Sequence, residues 1–123
     1  DGLTPGEFLK QVKEKYPNII IMADCATYEE AVAAYEAGAD LVGTTMNGYT
    51  PQTADQKGDP NFELVERLVK VLPCPVIAEG RVHTPEQARK MLELGAWAVV
   101  VGGAITRPLE IAQRFMAAVA DLH

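Results

Sequence analysis

One strand–helix–strand pattern occurs twice in this sequence. Residues 19–45 (IIIMADCATYEEAVAAYEAGADLVGTT) align with residues 75–103 (PVIAEGRVHTPEQARKMLELGAWAVVVGG), with a two-residue difference in a loop. In this alignment Asp24 matches Glu79, and Gly38 matches Gly95. Apolar strands that are joined through helices predict a parallel sheet, because such connections cover the sheet with helices.

The whole chain has the organisation of this repeat. The predicted strands are IIIMADC, which reads as buried on both faces, DLVGTTM, PVIAE and WAVVVGG, and together with the helices they form four βα units after one leading helix. A barrel of the triosephosphate isomerase type is built from such units but needs eight strands and about 250 residues. We therefore predict an α/β fold, a parallel β/α half-barrel, with residues 1–123 as a single domain.

Capping residues and helix breakers set the predicted helix boundaries. We expect helices over residues 4–15, from Thr27 to a stop at Gly38, from about Asp59 to Val71, over 84–95, and from Pro108 to Leu122. Three of these begin with a threonine cap: Thr4 and Thr27 are each followed three residues later by Glu, which is the capping-box pattern, and Thr84 is expected to cap the helix that follows it.

A half-barrel of this kind needs a partner. Four strands alone would leave two strand edges and the inward face of the sheet open to water. The chain begins at Asp1 without Met, which indicates a processed chain or a fragment. We therefore expect an N-terminal half-barrel that is absent from this chain, or a second copy of the chain, as the partner, and we expect a homo-oligomer.

Composition excludes several classes of function. The net charge of −6 with only 11 Lys and Arg argues against binding to nucleic acid or to an anionic membrane, because both need a basic surface. The longest apolar runs are far shorter than the roughly 18 residues of a membrane span. Cys25 and Cys74 form no metal-ligand pattern, so we predict no metal site and reduced thiols in a cytoplasmic protein, while a single disulfide stays open.

Polar residues end the predicted strands. In β/α barrels the carboxyl ends of the strands carry the active site, so Asp24, Thr44, Thr45, Glu79 and Gly102 are expected at one mouth. Glu79 follows a buried strand directly and is a candidate for acid/base catalysis. The alternative is a structural carboxylate that caps a loop amide or pairs with Arg81.

The segment VVVGGAITRP indicates a phosphate site. Gly102 and Gly103 follow an apolar strand and precede a short helical segment, so their N–H groups are open to an anion. Barrels place such a site after their last two strands, which here end at Gly80 and Gly102. The alternative is a glycine pair needed only for a tight turn. Arg107 would reach the phosphate or a sugar hydroxyl, or else is a solvated residue at a helix start.

Four segments in order, IMADCAT, GTTMNGYT, PVIAEGR and VVVGGAITRP, resemble the C-terminal half of N-acetylmannosamine-6-phosphate 2-epimerases. The resemblance covers essentially the whole chain. It implies a phosphate-binding β/α barrel that interconverts N-acetylmannosamine 6-phosphate and N-acetylglucosamine 6-phosphate in sialic acid catabolism, an N-acylglucosamine-6-phosphate 2-epimerase. It also implies that no metal or redox cofactor takes part.

The same resemblance implies a role for individual residues. The catalytic acid/base falls on Glu79, the sugar-binding aspartate on Asp24 and the substrate-binding arginine on Arg107. Thr45 is expected to bind substrate, and Gly80, Gly102 and Gly103 supply the phosphate-binding amides. The family's partner lysine lies on an early strand that this chain lacks, and Lys57, in a polar loop, does not match its motif.

Two other functions stay open from the sequence. One is a non-catalytic or engineered half-barrel that binds phosphorylated ligands or assembles with another polypeptide, which the missing lysine favours. The other is a different phosphosugar enzyme, such as a ribulose-phosphate epimerase-like or indole-glycerol-phosphate-synthase-like barrel, because many barrels share the glycine-rich phosphate site. The combination of GTT, GYT and AEGR argues against the second.

Overall fold

Four parallel strands form one sheet in the computed structural model, which describes residues 2–56 and 58–122. The strands are β1 (Met22–Asp24), β2 (Leu41–Gly43), β3 (Val76–Glu79) and β4 (Ala98–Val100). Their spatial order is the same as their order in the chain, and each neighbouring pair is parallel. The predicted parallel βα organisation is therefore confirmed.

Helices connect these strands and lie close to the predicted boundaries. They are α1 (Pro5–Lys15), α2 (Tyr28–Glu36), α3 (Phe62–Val71), α4 (Pro85–Glu93), α5 (Gly103–Thr106) and α6 (Pro108–Val119), followed by a 3₁₀ turn, Ala120–Leu122. Among the described residues, no helix combines the length and the apolar character needed to cross a bilayer.

The start of α3 differs from the prediction. The helix begins at Phe62 instead of near Asp59, because the Asn61 side chain accepts a hydrogen bond from the N–H of Leu64 at 3.0 Å and so caps the first turn. The cap at Thr27 also differs in detail. Glu30 accepts from the N–H of Ala26 instead of closing a box on Thr27 itself.

The sequence repeat appears as a repeat in strand register. Ala23 pairs with Val42 in the first copy, and Ala78 pairs with Val99 in the second. The glycines that follow α2 and α4 have φ angles of +111° at Gly38 and +103° at Gly95. A side chain is unfavourable in that left-handed region, so the same residue type ends the helix in both copies.

The hydrophobic core lies between the helices and the outer face of the sheet. Side chains alternate between the two faces of a strand, and those on the outer face pack against α2, α3 and α4. The buried members of this core include Ala31, Val42, Leu64, Val65, Leu68, Val76, Ala78 and Met91. The two middle strands are therefore the best-covered part of the sheet.

Elements at the two ends of the chain are much less covered. The segment IIIMADC was expected to be buried on both faces, and for this chain that expectation is wrong. Ile20 is 75% exposed, and Met22 is exposed on the inner face of the sheet. The reason is that β1 is an edge strand, which pairs with β2 on one side and has no strand on its other side among the described residues. At the other end, α6 contains no buried residue, and Phe115 is 74% exposed.

Candidate active site

Glu79 ends β3, and its backbone is fixed by the neighbouring strand. The Thr44 hydroxyl accepts a hydrogen bond from the Glu79 N–H at 3.0 Å and donates one to the Glu79 carbonyl at 2.9 Å. Thr44 is only 3% exposed, so water does not compete for these bonds. The last residue of β3 therefore has a defined backbone position, from which its side chain projects on the inner face of the sheet.

Thr45, which follows Thr44 in the chain, holds the Glu79 carboxylate. Thr45 Oγ1 lies 2.8 Å from Glu79 Oε2 and 2.9 Å from Asp24 Oδ1. Asp24, at the end of β1, and Glu79, at the end of β3, thus meet across one hydroxyl that follows β2. The expected gathering of these three residues at one mouth is present in the structure.

Gly43 makes this gathering sterically feasible. A Cβ atom at position 43 would lie 2.5 Å from Met22 Cε, 3.2 Å from Thr45 Oγ1 and 3.4 Å from Asp24 Oδ1. Any side chain would therefore displace Met22 and crowd the hydroxyl between the carboxylates. The motif GTT was recognised in the sequence, but the part played by its glycine was not.

A cavity of about 420 Å³ opens beside this cluster. Six of the seven predicted site residues line it: Thr45, Glu79, Gly80, Gly102, Gly103 and Arg107. Asp24 does not line it and instead borders an adjoining, mainly apolar cavity of about 570 Å³. Asp24 therefore reaches the main cavity only through Thr45, and its role in binding sugar stays a prediction.

The glycine pair after β4 also lines this cavity. Within the described chain, no acceptor takes a hydrogen bond from the N–H of Gly102 or Gly103. A Cβ built on Gly102 meets no atom within 4 Å, whereas one on Gly103 would lie 3.2 Å from Arg107 Cδ, so the open space is beside Gly102. The arrangement suits an anion that accepts from backbone N–H groups, as predicted, while phosphate binding itself stays a prediction.

Arg107 is the cationic side chain nearest to the glycine pair. Its Nη1 donates to Glu110 Oε1 at 2.9 Å, and this hydrogen bond raises the pKa of the Arg107 guanidinium. Arg107 is largely exposed, and its Cδ lies close to Gly103. Its position allows contact with a ligand at the glycine pair, although its present partner is a carboxylate.

Arg81 does not pair with Glu79, contrary to one of the alternatives. Arg81 has a φ angle of +59°, which turns its side chain under the loop after β2, where Nη2 donates to Asn47 Oδ1 at 3.0 Å. Asn47 is 4% exposed and donates to the carbonyl of Ala26 and to Gln56 Oε1. This network was not predicted, since nothing in the spacing of Asn47 and Arg81 marks them as neighbours.

The two cysteines lie outside the main cavity, which Tyr49, His83 and Glu110 also line. Both cysteines are free thiols, and burial raises the pKa of Cys25 to about 12. In the parts of the chain that the structure describes, no cluster of His, Cys, Asp and Glu has the arrangement of a metal site. Lys57, considered above as a partner base, lies outside the described residues.

Known proteins are similar to this chain in both sequence and architecture. Residues 3–121 match the family described as "Putative N-acetylmannosamine-6-phosphate epimerase". A relative of that description from Caldanaerobacter subterraneus subsp. tengcongensis is 57% identical over 115 residues, which are 94% of this chain and 48% of the relative. Another, from Cutibacterium acnes, is 50% identical over 113 residues, covering 90% of this chain and 48% of that protein.

A solved structure agrees with these matches. The N-acetylmannosamine-6-phosphate 2-epimerase from Clostridium perfringens superposes with a TM-score of 0.84 at 44% identity, over 95% of this chain and 50% of that one. The fold is thus half of a β/α barrel with a carboxylate at its mouth. The chain belongs to the N-acetylmannosamine-6-phosphate epimerase family. It spans about half the length of the curated relatives it matches.

Proposed function

We propose that this chain is the C-terminal half of a barrel that interconverts N-acetylmannosamine 6-phosphate and N-acetylglucosamine 6-phosphate. The observation that carries the proposal is the position of Glu79. Its carboxylate lines the same cavity as Gly102 and Gly103, whose N–H groups have no acceptor within the described chain. A sugar phosphate anchored at these amides would bring its carbon skeleton toward Glu79.

The chemistry requires two groups on opposite faces of the sugar. Inversion at C2 breaks the C2–H bond, the electron pair moves toward the adjacent carbonyl, and the proton passes to a base. A proton then returns to C2 from the other face. Glu79 serves one face only. Tyr49, His83 and Glu110 also line the cavity, but the family resemblance gives the second group as a lysine on an early strand, so we assign it to the N-terminal half.

The exposed ends of the chain support that assignment of a partner half. β1 has an unpaired outer edge, α6 has no buried residue, and Ile20 and Phe115 are about three-quarters exposed, at 75% and 74%. Large exposed apolar side chains at both ends of the sheet mark surfaces that another element covers. Relatives are about twice as long as this chain, which fits a cover made of the remaining strands.

The test uses what we call the completed barrel, meaning this chain co-expressed with the N-terminal half of the Caldanaerobacter relative. N-acetylmannosamine 6-phosphate is incubated with it in deuterated water, and proton NMR follows both epimerisation and exchange of the C2 hydrogen. Glu79→Gln should lower epimerisation by about 10²-fold or more, the usual effect of losing one acid/base group. The amide cannot accept the proton but keeps the size of the side chain.

Glu93→Gln is the matched control. Glu93 is an exposed residue of α4 that pairs with Arg89, away from the cavity, so its variant should retain wild-type turnover. Full epimerase activity in Glu79→Gln would exclude Glu79 from proton transfer. A completed barrel that binds the sugar phosphate but never exchanges C2 hydrogen would favour the non-catalytic half-barrel.

A further inference from the structure

Thr45 has two carboxylate neighbours but only one proton to donate. Its Oγ1 is within hydrogen-bond distance of both Glu79 Oε2, at 2.8 Å, and Asp24 Oδ1, at 2.9 Å. A threonine hydroxyl supplies one donor, whereas an ionised carboxylate can only accept. When both carboxylates are ionised, therefore, only one of the two contacts is a hydrogen bond at any moment.

The competition between the two acceptors depends on the charge of Glu79. Hydrogen bonds to an ionised oxygen are roughly twice as strong as those to a neutral one. While Glu79 is ionised, the two carboxylates compete on similar terms. Once Glu79 has gained a proton on its other oxygen, Oε2 becomes a weaker acceptor than Asp24 Oδ1. The hydroxyl proton then turns to Asp24, and no proton leaves Thr45.

We propose that Thr45 is a positioning residue that orients Glu79 for proton transfer and turns its hydroxyl between Glu79 and Asp24 as Glu79 gains and loses its proton. This inference rests on the proposed function and changes the role expected from sequence, in which Thr45 bound substrate. During deprotonation of the sugar, the C2–H bond breaks, Glu79 Oε1 gains the proton, and the electron pair stays on the substrate. Thr45 and Asp24 keep their own proton counts.

Two features of the surroundings keep Thr45 Oγ1 close to both carboxylates. Thr44 fixes the backbone of Glu79 through two hydrogen bonds, so the carboxylate has little freedom except rotation of its own side chain. Gly43 leaves the space in which Thr45 reaches Asp24, and a Cβ there would lie 3.2 Å from the hydroxyl oxygen. The three residues of the segment GTT thus act on one carboxylate.

Thr45→Val and Thr45→Ser in the completed barrel test this inference. Valine keeps the shape without the hydroxyl, so kcat should fall about tenfold or more, as expected for a lost hydrogen bond to a charged group, while KM changes little. Serine keeps the hydroxyl and should restore most of kcat. Thr4→Val, an equivalent change at the exposed cap of α1, should lower thermal stability and leave kcat unchanged.

Each other outcome overturns a specific part of the account. A raised KM with unchanged kcat in Thr45→Val would return Thr45 to substrate binding. A lowered melting temperature with both constants unchanged would make its role structural. If Thr45→Val does not fold, Thr45→Ser still tests the inference. A Thr45→Ser variant with a kcat as low as that of Glu79→Gln would show that loss of the hydroxyl is not the cause of the lowered kcat. An inactive wild-type completed barrel would overturn the proposed function and this inference together, whereas an active barrel with a normal Thr45→Val variant overturns the inference alone.

Discussion

The middle and the ends of this chain differ in how far their apolar residues are covered. Val42 on β2 and Ala78 on β3 are fully buried, whereas Ile20 before β1 and Phe115 on α6 are 75% and 74% exposed. All four are apolar, and they lie in a strand or a helix or, for Ile20, just before a strand. The difference arises because β2 and β3 have strand neighbours on both sides, whereas among the described residues β1 has one neighbouring strand and α6 contacts mainly α5 and the turn that follows α6.

This difference shows that the pattern of apolar residues in a sequence reflects burial in the complete fold of a protein. Exposed apolar surface is unfavourable by about 25 cal/mol per Å². A chain that leaves many such side chains in water therefore gains free energy when a matching half covers them. The mouth residues follow the same division, because Glu79 and the two threonines lie in the covered middle and the glycine pair lies beside the uncovered end.

The largest expected effect on stability comes from truncating an apolar side chain that is exposed at the end of this chain and that the N-terminal half should bury. In the completed barrel, Phe115→Ala should lower the free energy of unfolding by about 3 kcal/mol, as for a buried phenylalanine. Leu92→Ala is the control. Leu92 is 52% exposed on α4, whose neighbouring strands both belong to this chain, so its variant should change stability by no more than about 0.5 kcal/mol.

Urea denaturation of both variants measures these effects. Equal, small changes in the two variants would mean that α6 stays exposed in the completed barrel, and the contrast between middle and ends would then be a permanent feature of the fold. A large loss for Leu92→Ala would show that the middle, too, is covered by something outside this chain.

A smaller effect is expected at the glycine pair, where the covered and uncovered regions meet. Gly102→Val in the completed barrel should raise the KM for the sugar phosphate about tenfold or more, because the side chain would occupy the approach to the amides. A Cβ at this position meets no atom within 4 Å, so the added side chain would displace no neighbour. Steady-state kinetics with a melting curve separates the two effects, and an unchanged KM would place the phosphate elsewhere.

Sequence reasoning succeeded where one residue or a local period determines the outcome. The threonine caps, the helix stops at Gly38 and Gly95, and the pairing of equivalent residues in the two repeats follow from local rules and are present in the structure. The meeting of Asp24, Thr45 and Glu79 follows from parallel pairing, which brings strand ends to one edge of a sheet.

Sequence reasoning failed where contacts join distant loops or depend on chain completeness. The contact between Asn47 and Arg81 joins two loops whose separation no periodicity encodes, and the left-handed backbone at Arg81 has no sequence signal. The exposure of Ile20 was missed for another reason. Its apolar neighbours predict a buried strand, and whether that strand is covered depends on chain outside these residues.

The smallest expected effect concerns an ion pair at the β1 end of the chain. The hydrogen bond from Lys13 at 2.6 Å, together with one from the Ile21 N–H, lowers the pKa of the Asp40 carboxyl. A lowered folded pKa stabilises the protein above the unfolded value of about 4, and this contribution is lost as the pH falls through the folded pKa.

Asp40→Asn therefore should lower the melting temperature of the completed barrel slightly at neutral pH and not at strongly acidic pH. The asparagine oxygen can still accept from Ile21, so the variant removes the charge alone. The effect should also shrink at high salt, because the pair is partly exposed. A loss of stability that is the same at both pH values would mean that the ion pair contributes nothing and that shape accounts for the change.

The central claim is that this chain is one half of a barrel and that the site works only when both halves are present. Sedimentation velocity of the chain alone and mixed with the N-terminal half of the Caldanaerobacter relative, with epimerase activity measured on each fraction, tests it most directly. We predict a one-to-one complex that carries all the activity, and no compact monomer of the chain alone. Two results would contradict the claim: a compact, cooperatively unfolding monomer that does not bind the N-terminal half, or a stable dimer of this chain to which the N-terminal half cannot bind.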